Sequence, residues 1–317
     1  MPGFPFCVWA LPLHVTLPAA AATEKQAPRN QPPSLVRAEQ LTNPVAYHGE
    51  GPVWSPAWGG LRWVDMLTGD ILSLGADGSI SRRNVGKIAA AIRPRRAGGA
   101  VIALERGFAL EDADGTLRAL PEIWSDPSIR MNEGGCDPQG RFYCGSMEYK
   151  QKQGAASLYR LDPDGAVTTV LQNVTISNGI DWSPDGSLAY YVDTAAERID
   201  VFDYDAERGL TSRRVLVSIP KEFGRPDGLT VDSGGGVWVA MARGGAVRRY
   251  TPKGELDEVI EVAASKVTAC TFGGPLLDDL FITTSREGIE PGDDPLAGSL
   301  FVANPGVRGM PVREFAG

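Results

Sequence analysis

A short segment recurs four times along this chain, and recurrence at its spacing restricts the fold more than any other feature of the sequence. The copies are Glu50-Gly51-Pro52-Val53-Trp54-Ser55-Pro56, Asn132-Glu133-Gly134-Gly135-Cys136-Asp137-Pro138, Asn178-Gly179-Ile180-Asp181-Trp182-Ser183-Pro184 and Asp227-Gly228-Leu229-Thr230-Val231-Asp232-Ser233. Each opens on an acid or an amide, runs through a short apolar strand and ends in a Ser-Pro, Asp-Pro or Asp-Ser turn. A second strand follows the turn, as in Leu188-Ala189-Tyr190-Tyr191-Val192 or Val237-Trp238-Val239-Ala240. A third, such as Arg198-Ile199-Asp200-Val201-Phe202, nearly alternates polar with apolar side chains, as a half-buried strand does. The pairs Asp77-Gly78, Asp114-Gly115, Asp164-Gly165 and Asp185-Gly186 mark hairpins.

The copies begin at 50, 132, 178 and 227, so the gaps are 82, 46 and 49 residues. The first gap leaves room for another unit near Ile88 to Leu104, and a further one begins near Thr268. Six units of roughly 45 residues with no helical period predict an all-β chain, a six-bladed β-propeller of four-stranded antiparallel blades, over residues 36–317. The 38 glycines and 24 prolines suit a chain that reverses so often.

Composition removes several functions. Lys and Arg total 31 against 39 Asp and Glu, a net charge of −8, and no basic stripe marks a nucleic-acid partner. The densest basic cluster, Arg93-Pro94-Arg95-Arg96, reads as a solvated loop. No run of 18 apolar residues is present, so no membrane partner is expected. Cys7, Cys136, Cys144 and Cys270 form no C-x-x-C pair, which removes the common zinc and redox spacings. Cys136 and Cys144 flank a turn and read as buried free thiols, with a hairpin disulfide as the alternative. Residues 1–35 read as a disordered leader or a signal-like segment. Phe4 to Ala22 is mostly apolar, but Pro5, Pro12 and Pro18 interrupt it and no basic residue precedes it. A cytoplasmic location is expected, with secretion or a periplasmic location instead if residues 1–22 are a signal peptide. Monomer and homodimer both stand.

The innermost strands of a propeller line its central channel, so residues at one phase of the repeat gather in a ring at one mouth. Glu50, Asn132, Asn178 and Asp227 share that phase. Any one of them suits a turn. Together they place two carboxylates and two amides on one axis, where like charges repel and lose hydration unless a cation compensates. Oxygen-only ligands favour Ca²⁺, Mg²⁺ or Mn²⁺, and Zn²⁺ less.

The chain resembles the SMP-30/gluconolactonase/regucalcin-like family from about residue 40 to its end. The resemblance is carried by Gly49-Glu50-Gly51-Pro52-Val53-Trp54, Arg130-Met131-Asn132, Asp137-Pro138-Gln139-Gly140-Arg141-Phe142, Ser177-Asn178-Gly179-Ile180-Asp181-Trp182 and Pro226-Asp227-Gly228. Phe272-Gly273-Gly274, Thr284-Ser285-Arg286-Glu287-Gly288 and Pro295-Leu296-Ala297-Gly298-Ser299-Leu300-Phe301 add to it. It implies a six-bladed propeller holding one divalent metal on Glu50, Asn178 and Asp227. Asn132 would stand beside the metal and Arg130 would hold substrate oxygens. Many members of the family open aldonolactones. Others are known mainly as calcium-binding or luciferin-related proteins. The chain departs from the pattern at Glu133, where an Asp is common. It also departs after Met147, where Glu148 or Lys150 stands in the region of an acidic substrate contact.

The expectation is therefore a metal-dependent hydrolase of a small, sugar-derived lactone, with Asp227 as general base and Arg130 steadying charge. A non-catalytic metal- or ligand-binding propeller, or an esterase or lactonase for a non-sugar substrate, is the alternative. Nucleophilic Ser or Cys catalysis is disfavoured: no G-x-S-x-G segment is present and only His14 and His48 offer imidazole. His48, two residues before Glu50, is a candidate substrate contact. Trp54, Trp182 and Trp238 read as core aromatics, and Cys270 as a buried thiol or a channel-facing one.

Overall fold

Short alternating runs closed by Asp-Gly and Ser-Pro turns build one antiparallel four-stranded sheet after another. The computed structural model describes Met1, Gly3 and residues 32–317, and divides the chain into Met1–Pro32 and Pro33–Gly317. Cys7, His14 and residues 4–31 of the expected leader lie outside the described residues.

Each blade's innermost strand comes first in its unit. These strands are Gly49–Ser55, Ala91–Pro94, Ile129–Cys136, Ser177–Trp182, Arg225–Val231 and Val267–Gly273. Every inner strand touches the next, and the sixth touches the first, so the six sheets close into a ring. This is the six-bladed β-propeller expected from the repeat. The sixth blade has only three strands of its own, and Glu39–Gln40 supplies the fourth by pairing antiparallel with Leu300–Ala303. Ser34–Arg37 adds a parallel fifth strand to Leu256–Glu261 on the fifth blade.

Aromatic residues fill the seams between blades. Trp182 meets Tyr143 of the third blade edge to face at 5.3 Å, and Trp238 meets Phe272 of the sixth at 5.7 Å. Trp54 stacks on Phe281 at 5.8 Å, joining first blade to sixth. All three tryptophans serve the core. Cys136, Cys144 and Cys270 are buried free thiols. Cys136 sits opposite Phe142 and Cys144 opposite Gly134, so the first two do not face one another.

Of the basic cluster only Arg96 is an exposed turn residue. Arg93 and Pro94 belong to the second blade's inner strand, and the Arg93 guanidinium lies 3.8 Å from Glu133 Oε1. The Arg95 side chain is 9% exposed and donates to the Gly317 and Glu111 carbonyls. Carbonyls and a carboxylate partner these charges inside the protein, where the sequence alone suggested water.

Candidate active site

The inner strands are irregular at one level only. Pairing with the second strand slips between Glu50 and Val53, Met131 and Gly134, Ser177 and Ile180, Pro226 and Leu229, and Val267 and Ala269. Such bulges insert an extra residue and re-aim a side chain. Here they fall at or beside Glu50, Asn132, Asn178, Asp227 and Thr268, so the ring is a row of bulges. Glycine makes the crowding feasible: a Cβ on Gly179 would lie 2.4 Å from Leu229 N, and one on Gly228 2.5 Å from the Ala269 Cβ.

Side-chain hydrogen bonds then stitch Asn132, Asn178 and Thr268 each to the inner strand of the next blade. Asn132 Nδ2 donates to the Ser177 carbonyl at 2.7 Å, just before Asn178. Asn178 Nδ2 donates to Thr194 Oγ1 at 2.8 Å, and that hydroxyl donates to the Pro226 carbonyl, just before Asp227. Thr268 Oγ1 donates to the Gly49 carbonyl at 2.6 Å, just before Glu50. Two buried aspartates fix the approach to the ring. Asp65 accepts the Tyr47 and His48 amides, and Asp193 accepts those of Thr175 and Ile176.

The mouth above the ring holds a pocket of about 290 Å³, lined among others by His48, Glu50, Arg130, Asn132, Asn178 and Asp227. These six expected site residues meet there. Glu148 and Lys150 do not line it. The strand ends at Glu148 and a turn follows, from which Tyr149 and Gln151 join Met147 in the lining, while Glu148 accepts the Lys150 and Lys152 amides outside it.

Charge is poorly compensated at the ring. Burial holds the Glu50 carboxyl well above its usual range, and Asp227 and Glu133 push it further. Burial and then Glu133 raise Asp227 to about 8, against the opposing pull of Lys266 and Arg225. Burial raises Glu133 to about 6. Burial, then Arg130 and Lys266, hold His48 well below its usual value, so its imidazole is neutral. Its Nδ1 lies 2.6 Å from Ser285 Oγ, and its Nε2 3.8 Å from Glu50 Oε1. Arg130 is held by the Asn132 amide oxygen at 2.7 Å and the Met131 carbonyl at 2.9 Å.

Asn178 Oδ1 is buried and has no hydrogen-bond partner among the described residues, because Thr194 holds the amide by its nitrogen. An orphaned oxygen beside two crowded carboxyls is the chemistry of a hard-cation site, so Glu50, Asn178 and Asp227 fit a divalent ion. Among the described residues no three His, Cys, Asp or Glu side chains form a cage by themselves. Glu133 does not line the pocket; its Oε1 lies 3.8 Å from the Arg93 guanidinium, and its buried Oε2 has no hydrogen-bond partner among the described residues.

Several pocket residues escaped the sequence reading. Thr194, Arg243, Tyr149 and Glu287 come from strand ends and loops that follow no repeat. Arg225 and Lys266 stand two residues before Asp227 and Thr268, as His48 and Arg130 stand before Glu50 and Asn132, so these two and Thr268 at the ring phase left a signal.

The family model described as "SMP-30/Gluconolactonase/LRE-like region" matches residues 48–286. Regucalcin of Danio rerio is 37% identical over 295 residues, covering 90% of this chain and all of that one. The "Putative sugar lactone lactonase YvrE" of Bacillus subtilis is 35% identical over 280 residues, covering 85% of this chain and 95% of its own. The crystal structure of "a calcium-binding protein, regucalcin" from Agrobacterium tumefaciens superposes with a TM-score of 0.82 at 29% identity, covering 89% of this chain and 99% of that one. Among the described residues no helix is long and apolar enough to cross a membrane.

Proposed function

The chain belongs to the SMP-30/gluconolactonase/LRE-like family, and from that premise we propose that it is a metal-dependent lactonase opening a small sugar-type lactone to its hydroxy acid. The observation that carries this reading is the mouth itself: two crowded, buried carboxyls and an orphaned amide oxygen stand beside a buried arginine and a second amide. A site that only stored a metal would have no use for Arg130 held in place by Asn132. The calcium-binding description of the Agrobacterium relative agrees with a divalent ion and leaves its identity open.

A divalent cation bound by Glu50, Asn178 and Asp227 would polarise the lactone carbonyl and stabilise negative charge developing on its oxygen. The chain's own groups do the rest. Asp227 accepts a proton from the attacking water. Burial and Glu133 raise its pKa to about 8 in the metal-free protein, and a bound cation would favour the ionised form that acts as base. Water's oxygen bonds to the carbonyl carbon, the ring C–O bond breaks, and Asp227 returns the proton to the departing ring oxygen. Arg130 and Asn132 orient substrate oxygens, and Arg130 offers a buried Nε without a partner among the described residues. His48, braced on Ser285, lines the mouth as a substrate contact.

A pH-indicator assay over aldonolactones, simple lactones and aryl esters tests this, run on chelated enzyme and after adding back Ca²⁺, Mg²⁺, Mn²⁺ or Zn²⁺. Lactone opening that disappears on chelation and returns with one of these ions is expected. Full turnover in metal-free protein, or none on any lactone with any ion, would overturn the reading.

A further inference from the structure

Three basic side chains converge on one small residue in the wall of the mouth. Arg225 pairs in register with Ala242, Arg243 follows Ala242 in the chain, and Lys266 bridges Ala242 from the sixth blade. All four residues line the pocket. The Lys266 ammonium is engaged by Glu287, donating to its carbonyl at 2.9 Å and pairing with its carboxylate. Neither the Arg225 nor the Arg243 side chain has a hydrogen bond or ion pair among the described residues. Arg243 also holds a left-handed backbone conformation, φ +64°, although glycine follows it at both of the next two positions.

The charge balance of the pocket points the same way. Four cations line it, Arg130, Arg225, Arg243 and Lys266, against three carboxyls, Glu50, Asp227 and Glu287, so with every group ionised the lining carries +1 in a protein of net charge −8. A divalent ion held by Glu50 and Asp227 raises that to +3. The single carboxylate produced by opening a neutral lactone leaves most of this charge unanswered. A guanidinium with no partner in a concave wall is matched by a carboxylate or phosphate, whose oxygens fit its forked donors.

We propose that the substrate lactone carries an ionised group of its own, a carboxylate or a phosphate, and that Arg225, with Arg243 beside it, reads that group. This rests on the lactonase reading and narrows its substrate class from neutral aldonolactones to lactones of sugar diacids or sugar phosphates. Arg225 carries most of the weight. Arg243 also borders an adjoining groove with Glu290 and Asp293, which share its field, whereas Arg225 does not line that groove.

The test compares kcat/KM of the metal-loaded chain for gluconolactone, a glucarolactone and phosphogluconolactone. At least one charged lactone should exceed the neutral one about tenfold or more, with the preference shrinking as salt is raised. In Arg225→Gln the charged-to-neutral ratio falls about tenfold, mainly through KM, and Arg225→Lys restores part of it. Whichever charged lactone wins assigns the group as carboxylate or phosphate. Equal turnover of neutral and charged lactones, or a ratio unmoved in Arg225→Gln, overturns the proposal and leaves lactone hydrolysis intact. If no lactone is opened, the hydrolase reading fails and a binding arm decides. Glucarate should then stabilise wild type against heat more than gluconate does, and Arg225→Gln should erase the difference. No difference in wild type overturns the proposal.

Discussion

The six inner strands have two ends, and the molecule finishes them in opposite ways. At the ends where the strands begin, a pocket of about 290 Å³ holds two crowded carboxyls, an orphaned amide oxygen and an unpaired arginine. Toward the other ends the channel narrows to a cavity of about 70 Å³, which Met310, Pro311, Val312 and Arg313 line from outside the blades. There the charges are answered. Arg313 pairs with Asp181 at 3.4 Å and donates to the Ser183 carbonyl at 2.9 Å, while Asp181 accepts the Trp182 and Val231 amides. Phe315 pairs with Arg95 as an isolated parallel bridge and is 1% exposed. Carboxyls left crowded at the wide mouth, and an Asp181–Arg313 pair formed at the narrow end, divide a binding surface from a closure on the same strands.

The sharpest way to break that division is Asp227→Ala. Removing the proposed base and metal-binding oxygen should lower kcat/KM for a turned-over lactone by about 10³-fold, roughly 4 kcal/mol of barrier. The thermal midpoint of the metal-free protein should hold or rise, because one of the mutually repelling carboxyls is gone. A loss below tenfold would mean that the open mouth is not the catalytic end.

The mirror experiment is Phe315→Ala at the sealed end. Phe315 packs in one cluster with Phe108, Cys136, Phe142 and Leu161. Its truncation should cost about 3–4 kcal/mol in urea unfolding. Turnover by the folded fraction should stay within about threefold of wild type. A collapse of turnover at full folding would show that the two ends are coupled.

What the sequence disclosed follows this division too. The blades were legible because strand, turn and strand repeat with a fixed phase. Glu50, Asn132, Asn178 and Asp227 were legible because they share it. The second blade hid from the alignment because its inner segment Ile88–Ala89–Ala90–Ala91 brings only small or apolar side chains to the ring. Glu133 was visible only as a departure from a motif. The bulge that lets both Asn132 and Glu133 oppose a single partner residue is a property of pairing, not of composition. Arg93 and Arg95 were misread because four adjacent residues looked like a charged loop, and their partners Glu133, Gly317 and Glu111 lie far along the chain. Arg225 and Lys266 were legible in principle, two residues before Asp227 and Thr268 as Arg130 is before Asn132, whereas Arg243 meets them through register around Ala242, which no linear pattern records.

A smaller effect sharpens the contrast through pH. Asp227 has an ordinary value of 3.8 and a folded value of about 8, so the folded state holds its proton more tightly than the unfolded chain does. Stability from this group is fully present below about pH 4 and is lost as pH rises through about 8. The metal-free protein should therefore lose roughly 5 °C of thermal midpoint between pH 5.5 and 8.5, a shift of about 2 kcal/mol. Saturating divalent ion should flatten that slope, since binding favours the ionised carboxyls. The same slope with and without ion would place the unsatisfied charge somewhere other than the open mouth.

The smallest expected change is the most discriminating about how the ring is held. Thr268→Val keeps the side chain's shape but removes the hydroxyl that donates to the Gly49 carbonyl and meets Thr283 Oγ1 at 2.9 Å. One net hydrogen bond is worth about 1 kcal/mol, so the unfolding midpoint should fall only modestly. The bond sits one residue before Glu50, and it ties the last blade to the first, where no covalent link closes the inner ring. If the stitches serve closure, turnover and metal affinity stay within about twofold while stability drops. If they serve the site, Glu50 shifts with its backbone, and metal affinity measured by calorimetry falls by more than the lost stability accounts for. The ring of bulges would then hold the ligands in place as well as join the blades.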